Sequence, residues 1–562
     1  MLVLAGACDR PTGDSVPSDT QPPPPETAGE PASATAIPAI ELIDEDTLKG
    51  YIAEISADKY GGRSPGSDGD AMARKYLADT MASFGLQPGG AGGSWEQEFE
   101  LVGITAELPS TWSFMHGSNQ VEFTPHDQFM AASGVQAERA GFENAEVVFV
   151  GYGINAPEYA WDDFKDIDVR GKVLLVMNND PEWDPELFAG NTRLYYGRWS
   201  YKYENAARHG AAGVIIIHTR ESAGYPWQVV DTSWAGEQFE LAAGEEPRIQ
   251  VAAWLTEESA SELVGMAGHE LQDLLESARN REFVPVPLGV TTSINFRNTI
   301  RTITTANVLG LLPGSDPGLS GEVVIYTAHH DHLGVGAPDA DGDTIYNGAR
   351  DNGAGVSSVL AIARAFAATP DKPRRSLLFA FVAAEEQGLL GSAFYANNPT
   401  YAPGHIAANL NFDGGNIWGK TSDITIIGLG KSSLDTIILE QAGNQGRGVK
   451  PDQLPDRGFF YRSDQFNFAR IGVPAMFFRT GSEFIGKPDG WGKERIEYYE
   501  DHDYHQASDE LRDDWNFDGM VEDARLGYSI GLAVANDEQM PAWNPGDEFE
   551  AARLQALSDL QE

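Results

Sequence analysis

The stretch that decides the fold reads EVVIYTAHHDH and occupies residues 322–332. Its middle residues are apolar, aromatic or β-branched without interruption, as in a strand that is buried on both faces of a sheet. The stretch then continues directly into His329, His330, Asp331 and His332, whose side chains are of the types that bind metals. The sequence therefore predicts a buried strand that delivers metal-binding side chains at its carboxyl end.

Two further stretches repeat this arrangement. Residues 376–384 (SLLFAFVAA) precede Glu385 and Glu386, and residues 407–412 (AANLNF) precede Asp413. In open α/β sheets, ligands bind outside the carboxyl ends of the strands. We therefore expect three strands to bring histidines and carboxylates to one edge of a sheet.

The regions around these strands predict the fold class. Apolar residues recur at helical spacing at positions 356, 359, 360, 363 and 366, ahead of Pro370, and again between Met72 and Phe84. Strands alternating with helices predict an α/β fold, a mostly parallel mixed sheet flanked by helices. From about 105 to 290 the sequence changes to short β-rich runs separated by turns, which indicates a second, β-rich domain.

Two more segments carry candidate ligands. Asp351 stands in NGARDNG (347–353), just before the helix that starts near Val356, and HDYH occupies residues 502–505. Five of the eleven histidines fall in this segment and in 329–332, which scattered core histidines would not do. Each piece alone also fits a solvated face or a helix cap, but the ordered set favours a metal site.

Composition excludes several classes of protein. A chain of 562 residues is long enough for several domains, and 41% hydrophobic residues indicate a mostly globular protein. The formal charge of −45 would repel phosphate backbones, so nucleic acid is not an expected partner. The single cysteine, Cys8, excludes an intramolecular disulfide and a cysteine-rich zinc site. No apolar run approaches the roughly 18 residues of a membrane helix.

The first residues suggest export. The run LAGAC (4–8) is similar to the end of a bacterial lipoprotein signal, in which the cysteine is lipidated, although the basic region expected before it is missing. A chance apolar start is the alternative. Residues 9–42 are rich in proline and polar residues, which predicts an extended tether. We therefore expect a truncated signal at 1–8 and an exported protein, either anchored to the bacterial envelope through Cys8 or secreted.

The ordered motifs resemble peptidase family M28, a group of zinc exopeptidases. The segments that carry the resemblance are TAHHD (327–331), GARDN (348–352), AEEQGLLGS (384–392), NFD (411–413) and YHQASD (504–509). The region between 105 and 290 resembles a protease-associated (PA) domain, on GYGI (151–154), DVRGKV (168–173) and GRWSYKYE (197–204). The resemblance implies a zinc-exopeptidase fold with its N-terminal part at 43–104, a PA insertion at 105–290, a catalytic core at 291–545 and a C-terminal tail at 546–562.

The resemblance also implies a ligand set for two zinc ions. Asp351 would bridge the ions, with His329 and Asp413 completing one set and Glu386 and His505 the other. Glu385 would be the general base that takes a proton from a water molecule bridging the metals. Asp331 would orient the ring of His329, and a non-proline cis peptide bond would follow Asp351, at Asn352-Gly353.

Several other residues have two interpretations. The hydroxyl of Tyr461 would support the oxyanion of the tetrahedral intermediate, or Tyr461 is a packed core residue. Arg462 would bind a substrate carboxylate, or would pair with Asp464. Relatives often have histidine where this chain has Gln465, and often an uncharged or acidic residue where it has Arg350, so these two positions bear on substrate preference. His330, His332 and His502 are interpreted as bystanders.

The expected function is therefore that of an aminopeptidase that removes N-terminal residues from peptides. The first alternative is a glutamate-carboxypeptidase-like hydrolase, which would need basic residues to hold the terminal carboxylate of its substrate, and only Arg350 and Arg462 lie beside the motifs. The second is a non-catalytic receptor or binding relative, against which the complete set of ligand positions argues. The PA insertion is expected to roof the active site and to restrict it to short or flexible peptides. The sequence leaves the oligomeric state open.

Overall fold

The computed structural model describes residues 38–185 and 187–561 of the chain. The predicted signal at 1–8, Cys8 and residues 9–37 of the predicted tether lie outside the described residues, so the anchor stays a prediction. The last five residues of the predicted tether form a short helical turn, Pro38–Leu42, and the Ile43 side chain that follows it is fully buried. No helix in the described part of the chain has the length and apolar character needed to cross a membrane.

The strands and helices are numbered here in chain order. The strands are β1 (Gln87–Pro88), β2 (Glu96–Ala106), β3 (Trp112–His116), β4 (Asn119–Phe123), β5 (Phe129–Ser133), β6 (Arg139–Phe149), β7 (Asn155–Ala156), β8 (Trp161–Asp162), β9 (Val173–Met177), β10 (Gly213–His218), β11 (Glu237–Leu241), β12 (Val251–Thr256), β13 (Val286–Leu312), β14 (Val323–His329), β15 (Gly334–Val335), β16 (Ile345–Tyr346), β17 (Ser376–Val382), β18 (Ile406–Phe412), β19 (Asp423–Ile427), β20 (Gly448–Lys450) and β21 (Ala475–Arg479). The α-helices are α1 (Glu45–Ile55), α2 (Asp68–Ser83), α3 (Trp199–Arg208), α4 (Arg220–Ala223), α5 (Trp227–Trp234), α6 (Glu257–Met266), α7 (Leu271–Ala278), α8 (Gly355–Ala368), α9 (Leu390–Asn397), α10 (Leu434–Asn444), α11 (Gln465–Arg470), α12 (Trp491–His502), α13 (Asp518–Asn536) and α14 (Glu550–Asp559).

The catalytic sheet has parallel strands at its centre. Strand β14 pairs in parallel with β17 on one side and with β18 on the other, and β18 pairs in parallel with β21. Antiparallel strands extend both sides, with β13, β2 and β11 beyond β17, and β19 beyond β21. The predicted α/β class with a mixed sheet is confirmed, and the strand order places the carboxyl ends of β14, β17 and β18 side by side.

Alternate residues of β14 face two different helix layers. Ile325 belongs to a buried cluster with Tyr395 of α9 and Phe468 of α11. The next residue, Tyr326, stacks on Phe379 and donates a hydrogen bond to the carbonyl of Gly527 in α13, at 2.9 Å. Successive side chains of a strand point to opposite faces, so helices cover both faces of the sheet. This double cover explains the uninterrupted apolar sequence of the strand.

A glycine on α13 makes this packing possible. A Cβ atom on Gly531 would lie 1.6 Å from the hydroxyl oxygen of Tyr326, so no larger residue fits where the helix crosses the strand. Helix α2 is held at its first turn by Ser67, whose hydroxyl accepts from the backbone N–H of Asp70. These local features fix the helices that surround the sheet.

The PA region forms a second sheet. Strands β6, β9, β10 and β12 lie next to one another in parallel, and β5 pairs antiparallel with β12. Helix α3 lies over this sheet, where Trp199 and Tyr203 pack beside its buried apolar residues. Of the short β-rich runs in this part of the sequence, 173–176 and 214–217 lie inside β9 and β10, and 147–150 extends one residue beyond the end of β6.

One strand is common to both sheets. Strand β13 runs without interruption for 27 residues. Its first half pairs with β6 of the PA sheet, and its second half pairs with β2 and then with β17 of the catalytic sheet. The predicted boundary between residues 290 and 291 falls inside this strand. Strand β11, within the predicted PA range, also pairs with β2 of the catalytic sheet.

Candidate metal centre

The candidate ligands follow elements that end at one edge of the catalytic sheet. His329 is the last residue of β14, Asp413 follows β18 directly, and Glu385 and Glu386 lie in the loop after β17. Asp351 stands in the turn that leads into α8. The sixth residue, His505, follows α12. The six residues of the predicted set are therefore brought together from five separate segments of the chain.

Asp351 stands between the two histidines. Its Oδ1 lies 3.2 Å from Nε2 of His329, and its Oδ2 lies 3.4 Å from Nε2 of His505. Asp413 is 3.6 Å from the Nε2 of His329, and Glu386 is 2.9 Å from the Nε2 of His505. One carboxylate thus faces two imidazole–carboxylate pairs, an arrangement that suits a ligand shared by two ions.

Two buried imidazole nitrogens beside Asp351 fit a metal site. The Nε2 atoms of His329 and His505 are buried and have no hydrogen-bond partner within the described residues. Buried polar atoms without a partner are costly, so each of these atoms needs a ligand. Imidazole nitrogens and carboxylate oxygens are the ligands that Zn²⁺ prefers, apart from thiolates. The residues present therefore fit a zinc site.

The charges around the site lead to the same conclusion. Burial alone would lower the pKa of His505, but the carboxylates of Glu386 and Asp351 raise it to about 10. Burial would raise the pKa of Glu386, yet the histidines His505 and His332 outweigh it and bring the pKa down to about 2. The surplus of negative charge thus holds protons on the imidazoles, and a divalent cation would take the place of those protons.

Glu385 differs from the other carboxylates. Its Oε2 lies 4.0 Å from Nε2 of His329, and burial, with the negative charges of Asp413 and Glu386, raises the pKa of Glu385 well above its usual range. The residue before it, Ala384, has a φ of 57°, a left-handed conformation that costs a non-glycine residue about 1 kcal/mol. His505 has the same φ of 57°.

Asp331 holds the loop that carries Glu385. Its two carboxylate oxygens accept the backbone N–H groups of Glu385 at 3.0 Å and of Glu386 at 3.3 Å. Nδ1 of His329 lies 3.3 Å from the backbone carbonyl of Asp331 and 3.8 Å from its carboxylate. The predicted orientation of His329 thus comes from the backbone of Asp331, and its side chain positions the two glutamates.

The loop of Asp351 is fixed from the other side of the site. The Asp509 carboxylate accepts the backbone N–H of Asp351 at 3.0 Å and the hydroxyl of Tyr499 at 3.0 Å. The non-proline cis peptide bond joins Asp351 to Asn352. It follows Asp351, as the resemblance implies, but stands one bond earlier than the Asn352-Gly353 position predicted for it.

The three histidines interpreted as bystanders have different surroundings. Nδ1 of His332 donates to Oε1 of Glu386 at 2.6 Å, so the structure corrects this interpretation and brings His332 into the centre. His330 is buried against Asp70, at 3.1 Å, and His502 is exposed with its Nδ1 at 2.8 Å from the carbonyl of Tyr498. Neither of these two faces the candidate ligands.

Tyr461 is not among the residues that line the cavities beside the candidate ligands. Its hydroxyl donates to Glu548 at 2.6 Å, and its ring packs against Phe460 and Phe466. The structure therefore corrects the expected oxyanion role in favour of the alternative, a packed core tyrosine. Tyr504, next to His505, borders both cavities instead.

Residues of the PA region line a cavity at the candidate centre. A cavity of about 1070 Å³ is lined by Glu385, Glu386 and His505 and by residues of α3 and α5. Ser233 of α5 places its Oγ 2.7 Å from Nδ1 of His505, and the side chain of Gln387 accepts the backbone N–H of Phe239 in β11 at 3.0 Å. No sequence motif indicates these contacts, because a serine in a helix has no signature until the fold brings it to a candidate ligand.

Comparisons with known proteins agree with this site. Residues 307–528 match the profile described as Peptidase family M28, and residues 143–249 match that of the PA domain. The chain is 29% identical over 234 residues to leupeptin-inactivating enzyme 1 of Streptomyces exfoliatus, covering 40% of this chain and 48% of that protein. It is 29% identical over 220 residues to leucine aminopeptidase 2 of Trichophyton rubrum, covering 37% of this chain and 40% of that protein. The matched part thus spans less than half the length of these curated relatives.

A solved structure shares the fold over nearly the whole chain. The aminopeptidase from Aneurinibacillus sp. strain AM-1 superposes with a TM-score of 0.52 at 19% identity, covering 89% of this chain and 96% of that one. At this identity the likeness concerns the fold alone. The two profile matches give the chain a region of peptidase family M28 at residues 307–528 and a PA domain at residues 143–249, and the sheet edge that carries the motifs lies within the first of these regions.

Proposed function

We propose that this protein is a zinc-dependent aminopeptidase that removes N-terminal residues from peptides. The observation that carries the proposal is the pair of unpartnered imidazole nitrogens, His329 Nε2 and His505 Nε2, on either side of Asp351. The family match supports hydrolysis of peptides, and the names of the curated relatives support the amino end as the point of attack.

The candidate ligands form two sets, one for each of two zinc ions. His329, Asp351 and Asp413 would hold one ion, and Asp351, Glu386 and His505 would hold the other. Zinc bound in this way supplies Lewis acidity for the scissile carbonyl and lowers the pKa of water. Nδ1 of His332 donates to Oε1 of Glu386, and this hydrogen bond keeps that carboxylate ionised and oriented.

Glu385 is the candidate general base. It lines the cavity beside the ligands, makes no ion pair with a lysine or arginine within the described residues, and is positioned through its backbone by Asp331. A carboxylate whose pKa is raised by burial takes up a proton more readily than a solvated one. Glu385 would accept a proton from the attacking water and pass it to the leaving amine.

Zinc content and turnover test the proposal together. We expect about two zinc ions per chain in the wild type, hydrolysis of leucyl-p-nitroanilide, and loss of turnover by about 10²–10⁴-fold in Glu385→Gln with zinc content unchanged. Glu262→Gln, an exposed position on α6, is the matched control. A wild-type protein that binds no zinc would overturn the proposal.

A second candidate rests on a specific observation. Arg350 and Arg462 line a small cavity beside Asp413, as a hydrolase that binds a terminal carboxylate would require. Cleavage of an N-acetylated dipeptide with a free carboxyl terminus, but not of leucyl-p-nitroanilide, would favour this glutamate-carboxypeptidase-like activity. A protein with two zinc ions and no turnover on either substrate would favour the non-catalytic alternative.

The PA region is proposed to limit access. Residues of α3 and α5 form one wall of the cavity that opens onto Glu385, so a folded protein substrate would meet this wall before reaching the centre. We expect kcat/KM to fall steeply as peptide substrates grow into folded domains. Equal rates on a short peptide and on the same sequence within a folded protein would contradict this role.

A further inference from the structure

Four arginines surround the candidate centre without a carboxylate partner. Arg350, Arg462 and Arg479 line a cavity of about 120 Å³ together with Asp351 and Asp413, and Arg198 and Arg462 line the larger cavity. Within the part of the chain that the structure describes, none of the four arginines forms an ion pair. We call Arg198, Arg350, Arg462 and Arg479 the arginine cluster.

Aromatic rings hold these arginines in place of carboxylates. The guanidinium of Arg479 lies 3.6 Å from the ring centre of Phe459, and that of Arg462 lies 5.1 Å from the same ring and 5.2 Å from Tyr225. An arginine stacked on an aromatic face keeps the N–H groups of its edge available for a planar anion. The arrangement therefore orients N–H donors that no carboxylate accepts. Arg462 also has a hydrogen bond with the side chain of Tyr504.

Arg350 is held in the same way by two other rings. Its guanidinium lies 4.2 Å from the ring centre of Tyr499 and 4.8 Å from that of Trp418. Its Nε donates to the carbonyl of Gly415 at 3.0 Å, which uses one of its five N–H groups. The remaining donors have no carboxylate partner.

The acidic residues that line the smaller cavity pair with other arginines or belong to the candidate centre. Glu500 accepts two hydrogen bonds from Arg457, at 2.7 and 2.6 Å, and Asp523 lies 2.7 Å from Arg447. The other carboxylates of this wall, Asp351, Glu385 and Asp413, belong to the candidate centre. The chain carries 84 acidic residues against 39 basic ones, so unpaired arginines are not explained by a lack of carboxylates.

The positive charges act on one another. Burial, together with the charges of Arg350 and Arg462, lowers the pKa of Arg479 to about 10 against the pull of Asp452 and Glu500. Burial, followed by the charge of Arg462, lowers the pKa of Arg198 to about 10. Like charges gathered in a partly buried place are unfavourable, and an anion among them removes that cost.

We propose that the arginine cluster binds a carboxylate of the substrate, either the side chain of an acidic residue or the free terminal carboxylate of a dipeptide. This inference rests on the proposed function, since Arg462 and Glu385 line both cavities and place the anion beside the scissile bond. Stacked arginines offer two parallel N–H donors, the geometry that matches a carboxylate. The smaller cavity has room for one short side chain.

Two substrate pairs test the inference and separate the two sources. Glutamyl- and glutaminyl-p-nitroanilide differ only in a side-chain carboxylate, and leucyl-glycine and leucyl-glycinamide differ only in the terminal one. We expect kcat/KM of the zinc-loaded wild-type protein to be at least tenfold higher for the charged member of one pair. A gain in the first pair assigns the cluster to acidic side chains, and a gain in the second assigns it to the terminal carboxylate.

Variants connect the preference to the cluster. In the substrate pair that shows the preference, Arg462→Gln and Arg479→Gln are expected to bring the ratio of kcat/KM between the charged and the uncharged member close to one. Arg170→Gln, which removes an exposed arginine that pairs with Asp168, keeps the wild-type ratio. Hydrolysis of both pairs with less than twofold discrimination in the wild type overturns the inference and leaves the proposed function standing.

A binding measurement tests the inference in the case that the protein is inactive. If none of the four substrates is hydrolysed, the proposed function fails, and calorimetric titration with glutarate and with glutaramide then decides the inference. Tighter binding of glutarate that weakens at least tenfold in Arg462→Gln and Arg479→Gln, but not in Arg170→Gln, supports the cluster as a carboxylate site. Equal affinity for the two compounds, or a glutarate affinity that is unchanged in Arg462→Gln and Arg479→Gln, overturns the inference.

Discussion

The hydroxyl oxygen of Ser233 lies 2.7 Å from Nδ1 of His505, so a helix of the PA region touches a candidate metal ligand. With Nε2 directed at Asp351 and Glu386, Nδ1 carries the proton and donates it to the serine. The serine hydroxyl can accept this hydrogen bond, so the contact fits the tautomer of His505 that a metal requires. The PA region therefore contributes to the centre and also covers it.

We expect Ser233→Ala to weaken zinc binding about 10-fold or more, because partners of ligating histidines commonly contribute that much to metal affinity. The measurement is a competition titration against a zinc chelator, which does not depend on turnover. Thr232→Ala is the control, since the hydroxyl of Thr232 on the same helix bonds only to backbone carbonyls of that helix. Equal zinc affinity in wild type and Ser233→Ala would contradict the role.

Removing the metal is expected to destabilise the fold as well as to stop turnover. Without a cation, the carboxylates of Asp351, Glu385 and Asp413 face one another around His329. Free zinc at 100 times its Kd is expected to raise the free energy of unfolding by about 2.7 kcal/mol. Melting temperature with chelator and with added zinc measures this effect.

Two variants sharpen that experiment. Asp351→Asn is expected to lose the dependence of the melting temperature on zinc. Asp168→Asn, at an exposed position of the PA region, is expected to keep it. A melting temperature of the wild type that is the same with chelator and with zinc would contradict the prediction.

Stability is expected to fall in mild acid because of His218. Burial lowers the pKa of this residue to about 4, so the unfolded chain binds the extra proton first as the pH falls below about 6.5. The folded state therefore loses about 2 kcal/mol between pH 7 and pH 4.5 from this residue. Urea unfolding of the wild type and of His218→Gln at the two pH values measures the difference, and an equal pH dependence in both proteins would contradict it.

Arg63 is expected to be among the most costly residues to replace. Its buried guanidinium donates to the carbonyls of His330, Ile55 and Asn347 at 2.7, 2.9 and 2.7 Å, and to that of Gly348 at 3.2 Å. Arg63→Met leaves these buried carbonyls without donors and is expected to lower the free energy of unfolding by about 3 kcal/mol or more. Arg170→Met, at an exposed ion pair, is the control, and a similar small loss in both variants would contradict the expectation.

The sequence predicts the strands and the candidate metal-binding side chains at their ends for one physical reason. Buried parallel strands need an unbroken apolar sequence, and the side chain after each strand end is free to face a common edge, so His329, Glu386 and Asp413 stand out by position. The observed strands begin and end within a few residues of the predicted ones. The helix from residue 355 likewise follows from its apolar spacing.

The remaining features depend on distant contacts. Nothing local distinguishes Tyr461 from a tyrosine that lines a site, because its hydroxyl is occupied by Glu548, which lies 87 residues away in sequence. The interpretation of His332 as a bystander fails because its contact with Glu386 crosses from one strand end to another, which no local pattern indicates. Arg198 lies in the PA motif at 197–204 and Arg479 lies outside the motifs, and neither position indicates a cavity. The packing of the PA region over the sheet brings Arg198 to the larger cavity, and the end of β21 places Arg479 at the smaller one.

The 27-residue strand β13 has a consequence for how such a protein is inherited and engineered. At about 3.3 Å per residue, a strand of this length extends to about 90 Å, and its two halves serve as neighbours to different sheets. A recombination event or a domain graft that cuts between residues 286 and 312 leaves each sheet with half a strand and an open edge. Exchange of the PA region between relatives therefore succeeds only when the whole strand travels with it.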